Sequence, residues 1–485
     1  MTHNAGILDG SPEPSALSKN IISKTYNKLF YIENPTSKRL RPTAYLDGLR
    51  GFMALLVYVH HHQLWAHGAG PIPLNAVFEN GYGYKDQRHF ATLPFVRNFF
   101  TGGHMAVAVF FVISGYVLAA KPLSLIYDKD YPRLLDSLAS SMFRRWFRLY
   151  IPIFVTTLVY VITWHFPGYT VSNCDQQSNL RDELWNWYAE CKNLSFIYKE
   201  GAIWLTFNVH VWSIPLEMRG SLVTFTALLA LHRAGARMRL LCTAILTWYS
   251  LYVADAYYCA LFCAGILLCD LDILHARSSP EYPQFLTRLG KYKTVLSIIF
   301  FVLGMYFAGV PSHNNDVNNL RLSPGWGWVS TWKAQAVYDY KWFYLFYASV
   351  FMVASIPNLP IKGFFETKFC QYLGRISYAL YLVHGPILSS IGDRVYYAFG
   401  WVRLESDESM EYWMHWFSLA RSGPMGLELS FLVPHLILVP LTFGMANFVT
   451  KYVDDYAVSL SANLYKYVVS SGDPTPAPAS DRHIA

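Results

Sequence analysis

The sequence predicts an all-α fold, a polytopic transmembrane helix bundle of about ten spans, on three observations. Only 15% of the 485 residues are charged and 53% are hydrophobic, whereas soluble domains carry about 25% charged residues. Mean hydropathy is positive, at +0.21. The apolar residues are grouped in runs of about 20, the length of helix that crosses a hydrocarbon core of about 30 Å. The missing charge excludes a water-soluble enzyme, and the apolar content excludes intrinsic disorder. A nucleic-acid-binding protein is excluded because a net charge of +7 is small for this length and forms no long basic block.

Residues 1–45 form a polar segment without the short apolar core and small-residue site of a cleavable signal peptide. The first span is therefore expected to be its own signal anchor. Spans are predicted over 46–65, 104–122, 148–166, 211–231, 240–254, 256–273, 294–312, 342–357, 375–391 and 426–448, the fifth being short for a full crossing. With the N-terminus cytoplasmic, inner segments hold roughly 25 Lys and Arg against roughly 12 outside. An even number of spans returns the C-terminus to the cytoplasm, as expected for a protein of the endoplasmic reticulum or another endomembrane. Residues 46–448 then form the transmembrane domain, and 449–485 a partly disordered tail marked by Pro474, Pro476 and Pro478. No repeat of 20 to 50 residues is evident.

Outer segments 66–103, 313–341 and 392–425 are rich in Gly, Tyr, Trp and Asn and read as folded loops over the mouth of the bundle. Their aromatic residues also fit an interfacial belt. The loop after the third span holds Cys174, Cys191 and the sequon Asn193-Leu194-Ser195. An oxidising lumen suits a Cys174–Cys191 disulfide and a glycan on Asn193. The other five cysteines read as small apolar filler.

Ionisable residues inside spans are costly and mark sites by default. Arg50 and His61 are eleven residues apart, which places them on one helical face about 16 Å apart along the axis. Asp47 lies one turn before Arg50 and can pair with it. His61 is suited to take or give a proton near neutral pH; the plainer reading is a buried, hydrogen-bonded packing residue. Its neighbours His60 and His62 are rotated to either side, so three adjacent imidazoles diverge, and no metal site is expected. Glu217 falls at a depth similar to that of His61 and is expected to hold it as the third member of a triad does. Its alternative is to balance a buried cation such as Arg219. His384 lies near mid-membrane before Gly385-Pro386, which should kink the helix; His435 sits at similar depth and reads as structural. Arg144, Arg145 and Arg148 form a cationic cluster at the inner mouth of the third span, suited to lipid headgroups or to the phosphates of a soluble cofactor.

In this order along the chain, these blocks resemble the acyltransferase 3 family of integral membrane acyltransferases. Asp47-Gly48-Leu49-Arg50-Gly51 with His61 reproduces its R-x10-H signature. Phe110-Phe111-Val112-Ile113-Ser114-Gly115-Tyr116 is similar to its second-span motif, and Arg144-Arg145-x-x-Arg148 with Pro152 to its RRxxR segment. Trp212-Ser213-Ile214-Pro215-Leu216-Glu217 resembles its WS-x-x-x-E motif, and Leu373-Gly374-Arg375-Ile376-Ser377-Tyr378 through Leu380-Tyr381-Leu382-Val383-His384 its late-span block. The chain departs from the family pattern at Met218-Arg219, where a second acidic residue is usual, and at Asp454-Asp455-Tyr456, which lacks the proline of D-x-P.

The resemblance implies an acyl-CoA-dependent acyltransferase, usually moving acetyl, that acts on a hydroxyl of a sugar, lipid or small natural product. No cofactor is expected to stay bound; acyl-CoA is a co-substrate, and membrane lipids surround the protein. His61 would be base or acyl relay, Arg50 would align the donor, Arg144, Arg145 and Arg148 would hold its phosphates, and His384, Ser114 and Trp212 would line the cavity. The motifs are closest in style to fungal members in secondary metabolism. A transporter or lipid-handling protein would also explain kinked spans and buried charge, but not a base, a carboxylate and a phosphate seat together.

Overall fold

The computed structural model describes residues 40–67, 74–165, 171, 174, 176–199, 203–312, 314–401 and 408–470. Every regular element among them is a helix. The principal ones are α1 (Ala44–His67), α2 (Gly103–Tyr127), α3 (Tyr131–Trp164), α4 (Leu180–Ser195), α5 (Ser213–Leu231), α6 (Ala236–Tyr252), α7 (Tyr257–Ala276), α8 (Lys293–Ala308), α9 (Tyr340–Ser355), α10 (Lys368–Ile387), α11 (His435–Val449) and α12 (Asp455–Ser470). The polar N-terminus up to residue 39 and the Pro-rich end from 471 lie outside the described residues.

Each predicted span falls on helical structure, but among the described residues six helical stretches are long and apolar enough to cross a membrane: Gly103–Tyr127, Tyr131–Trp164, Thr206–Leu231, Tyr257–Ala276, Gln284–Ala308 and Leu429–Ser470. The count of about ten includes four that do not meet both conditions. α6 and α9 have only 17 and 16 residues, and α1 and α10 carry Asp47, Arg50 and four His, or Lys368, Arg375 and His384, within their length. α8 turns Val295, Ile298, Ile299 and Val302 outward, a face suited to lipid rather than to a protein core.

Two boundaries differ from the sequence reading. α3 begins at Tyr131, not 148, with Asp130 capping its first turn through Arg133 N at 3.2 Å. The arginine cluster therefore stands within one continuous helix. The chain beyond 448 also stays helical to Ser470, through a π turn over Thr450–Asp454, and α12 packs along α3.

The centre of the bundle is α1, α2, α7 and α10. Glycines bring their backbones into contact. A Cβ on Gly51 would stand 2.1 Å from Gly374 N, and one on Gly374 2.4 Å from Asp47 O, so α1 and α10 cross without side chains between them. α2 and α7 meet in the same way, Gly115 against Phe262 O and Gly265 against Val112 O. Such small-residue crossings are how membrane helices gain close packing. At the end of α2, Arg239 pairs bidentately with Asp270 at 2.8 and 3.0 Å, and Tyr127 donates to the same carboxylate at 2.6 Å.

Candidate active site

The α1–α10 crossing sets the first part of the site. With Gly374 against α1, Arg50 donates from Nη2 to Gly374 O at 3.0 Å and lies 3.4 Å from Asp47 Oδ1. Arg50 faces a cavity that also takes Arg145 and Arg148 of α3, Ser114 of α2, Glu217 of α5, Arg375, Ser377, Tyr378 and Tyr381 of α10, and Asp454. Four arginines and two carboxylates leave an excess of two positive charges. Arg148 and Arg375 are exposed at its mouth. This is a seat for a polyanion, and guanidinium groups bind phosphate in paired hydrogen bonds.

Glu217 does not hold His61. It forms a buried ion pair with Arg145, whose Nε donates to Ser221 Oγ at 2.9 Å while that hydroxyl donates to Glu217 O at 2.6 Å. Depth along a helix does not fix azimuth, and Glu217 faces α3 rather than α1. Three further expectations need correction. Arg144 is rotated away from Arg145 and lies in a separate surface cleft with Lys121, Arg133 and Tyr465. Trp212 packs its ring on Trp342 at 5.9 Å rather than lining the cavity. No disulfide joins Cys174 to Cys191: Cys191 is buried on α4, and Cys174 donates to Thr206 O at 3.0 Å. The sequon at Asn193 closes the last turn of α4, where Ser195 O accepts from Trp146 Nε1 at 3.3 Å, so it is packed on α3 and not carried on an open loop.

Ten residues further along α10, His384 meets His61. The two helices run parallel and in register, Arg50 against Gly374 and His61 against His384. His61 Nδ1 is 3.0 Å from Val57 O and 3.1 Å from His384 Nε2. His210, in the turn before α5, lays its ring 3.9 Å from that of His61 and 4.8 Å from that of His384. That turn is pinned by Asn208 Nδ2 to Leu382 O at 2.8 Å and by a hydrogen bond from Tyr381 OH to His210 O. Gly385 makes room, since a Cβ there would stand 2.1 Å from His210 Cδ2.

Elementary acceptor chemistry fixes the tautomers. His384 Nδ1 faces Leu380 O at 3.2 Å, and a carbonyl oxygen only accepts, so Nδ1 carries the proton and Nε2 the lone pair. His61 Nδ1 sees two acceptors, Val57 O and that lone pair, so it is the donor. The second nitrogen of His61, Nε2, is then left with its lone pair, the state a general base requires. His384 is buried behind a His61 that keeps partial exposure. Tyr381 joins the two regions: it lines the arginine cavity, accepts from Ser213 Oγ at 2.8 Å and donates to His210 O.

The geometry thus places an arginine-rich cavity and a cluster of three histidines along one α1–α10 seam. Residues 43–422 match the acyltransferase domain of the acyltransferase 3 family. The chain belongs to that family. It is accordingly an acyltransferase and, with its six apolar helices, a membrane protein. It is 26% identical over 469 residues to the O-acetyltransferase PaAT-1 of Phomopsis amygdali, covering 88% of this chain and 86% of that one. It is 24% identical over 429 residues to the acyltransferase clz18 of Cochliobolus lunatus (76% and 86% covered) and 23% over 411 to the acyltransferase R4 of a Phoma species (74% and 86%). No solved structure matches it.

The candidate site also contains residues that the sequence alone does not single out. His210 carries no motif of its own, although it stands two positions before the Trp212-Ser213 block. Arg375 and Tyr381 sit inside the late-span block, and Arg375 is a cation in a predicted span, the same signal that singled out Arg50. Asp454 was visible only as a departure from D-x-P.

Proposed function

We propose that this protein transfers an acyl group, most simply acetyl, from acyl-CoA to a hydroxyl of a small natural product, lipid or sugar. The fixed tautomer of His61 carries the reading, because it leaves a base at the end of a seam that starts in an arginine seat. The donor enters from the cytoplasmic side with its phosphates among Arg50, Arg145, Arg148 and Arg375, and its thioester arm extends along α10 past Tyr381. His61 Nε2 takes the acceptor hydroxyl proton as the oxygen attacks the thioester carbonyl. The tetrahedral intermediate collapses with cleavage of the C–S bond, and His61 returns the proton to the departing thiolate, so that protons and electrons balance. A transient acyl-imidazole on His61 would give the same products by two displacements. The resemblance of the chain to an O-acetyltransferase over most of its length supports acetyl and an oxygen acceptor.

The test is an assay of membranes carrying the protein with labelled acetyl-CoA and extracts containing candidate acceptors. His61→Ala is expected to lower turnover by about 10²- to 10⁴-fold, the usual contribution of a general base. Wild-type turnover in His61→Ala or in Arg50→Lys would refute the assignment. Comparing acceptor metabolites in cells with and without the protein would identify the hydroxyl compound by its acetyl mass increment.

A further inference from the structure

The three consecutive histidines of α1 enter three environments. His61 joins His210 and His384, and His62 places Nδ1 2.8 Å from Tyr396 OH. His60 turns toward the outer segment, its ring 5.6 Å from that of His104 in the first turn of α2. Gly103 permits this approach, since a Cβ there would stand 2.6 Å from His60 Cδ2. Glu79 completes the group: one ligand atom each from His60, Glu79 and His104 lies within 4.8 Å of the others. His60 is 4% exposed, and its Nδ1 is buried without a hydrogen-bond partner.

A second histidine–carboxylate contact in the same chain shows what a closed pair looks like. His67 places Nε2 at 3.2 and 3.3 Å from the two oxygens of Glu428 and Nδ1 at 3.1 Å from Gln63 O, and the carboxylate also accepts from Gly426 N at 2.9 Å. Both nitrogens are used there. At His60, Nδ1 is buried without a partner beside a second imidazole and a carboxylate, at a cost that a bound cation would offset.

We propose that His60, Glu79 and His104 form a transition-metal site, zinc being the best match, that fastens the outer segment to the outer ends of α1 and α2. Two imidazoles and a carboxylate are borderline nitrogen and oxygen donors, which suit zinc with water as the fourth ligand. Bond lengths of about 2.0–2.1 Å require ligand atoms about 3.3 Å apart, a contraction within reach of side-chain rotation. The backbone that carries Glu79 is already pinned, because Arg97 donates to Phe78 O, Glu79 O and Asn80 O at 3.2, 2.8 and 2.7 Å. The role is structural: the ion joins residues 60, 79 and 104 and steadies the turn of α1 that bears His61.

The experiment measures zinc in the purified full-length protein in detergent by plasma mass spectrometry, after loading with zinc and passage into metal-free buffer. His104→Ala and Glu79→Gln each remove one proposed ligand, and His210→Ala removes one from the other histidine group. About one zinc per chain is expected in the wild type and in His210→Ala, with a tenfold or greater loss in His104→Ala and Glu79→Gln. Cobalt(II) substitution should give visible d–d bands in the wild type that disappear in Glu79→Gln. Glu79→Gln is nearly isosteric, so it decides the matter if His104→Ala fails to elute as a single species. Absence of zinc from the wild type, retention in both ligand variants, or loss in His210→Ala with retention in His104→Ala would each overturn the proposal. None of these readings depends on acyl transfer.

Discussion

His384 Nε2 lies 3.1 Å from His61 Nδ1, and the carbonyl of Leu380 settles which of the two donates. The proposed base, His61, is therefore oriented by an imidazole and a backbone carbonyl, Val57 O, where triads elsewhere use a carboxylate. A neutral support cannot stabilise a formed imidazolium by charge, but it does fix ring position and tautomer.

His384 is on this account a positioning residue. His384→Ala should lower kcat by roughly 10- to 100-fold, the usual cost of losing a group that orients an essential ligand or base, with KM for acyl-CoA unchanged. His384→Gln, whose carboxamide oxygen can accept from His61 Nδ1, should recover part of the loss. A merely structural role predicts a fall in protein yield and no such rescue. Steady-state kinetics on membrane-normalised protein separates the two.

The arginine seat predicts a contrast between residues that sequence alone would group differently. Arg375 lines the cavity and Arg144 does not. Arg375→Ala should raise KM for acyl-CoA about tenfold or more, since a hydrogen bond to a charged group contributes about 1.5–3 kcal/mol and 1.4 kcal/mol is a factor of ten. Arg144→Ala should leave KM within about twofold, as a surface charge outside the seat would. Equal effects of the two substitutions would contradict the division of the cluster. Dephospho-CoA thioesters should narrow the difference between Arg375→Ala and wild type if the contact is to the ribose phosphate.

Glu217 tests the same division from the other side. Its ion pair is with Arg145, so Glu217→Gln should raise KM for the donor while leaving the pH dependence of kcat in place. Were Glu217 the partner of His61, the ionising limb of kcat would move instead. A pH–rate profile of the variant distinguishes the two outcomes.

Much of this site was legible in the chain, for physical reasons. The Arg50–His61 stripe follows from eleven residues at 100° each, and the divergence of His60, His61 and His62 from the same rotation. That rotation also separates Arg144 from Arg145, which a count of nearby arginines conceals. What the sequence could not supply was azimuth between distant helices. Depth allowed Glu217 to meet His61, yet α5 presents it to α3. His384 is 323 residues from His61, and His210 lies outside any motif; only the glycine crossings at Gly51, Gly374 and Gly385 bring them together. Of the predicted spans outside the six apolar stretches, α1 and α10 hold the site and are made less apolar by it, while α6 and α9 are short.

The cysteines give a direct check on the segment between α3 and α5. No disulfide joins Cys174 to Cys191, so Cys174→Ser and Cys191→Ser should each leave non-reducing mobility unchanged, and the unfolded wild type should take up maleimide at both positions without prior reduction. Because Cys191 is 4% exposed and Cys174 is partly exposed, Cys174 and not Cys191 should react in the folded protein. Peptide mass spectrometry of the labelled sites reads both outcomes, and a Cys174–Cys191 linked peptide would contradict the arrangement.

The α1–α10 crossing makes the sharpest stability prediction. A methyl at Gly374 would stand 2.4 Å from Asp47 O and one at Gly51 2.1 Å from Gly374 N. The obstructing atoms are backbone, so the helices themselves must separate. Overpacking of a tight core typically costs about 1–3 kcal/mol, and these contacts place Gly51→Ala and Gly374→Ala at or above the upper end. Gly363 has nothing within 4 Å of its Cβ position, and Gly363→Ala in the short helix Ile361–Phe365 should be neutral or stabilise by about 0.4–1 kcal/mol. Thermal melts in detergent should rank the three variants accordingly. Because the same crossing aligns Arg50 with Gly374 and His61 with His384, any Gly374→Ala protein that remains folded should also lose turnover. A folded Gly374→Ala enzyme with full activity would show that the register of α1 on α10 is not what brings the arginine seat and the base into one site.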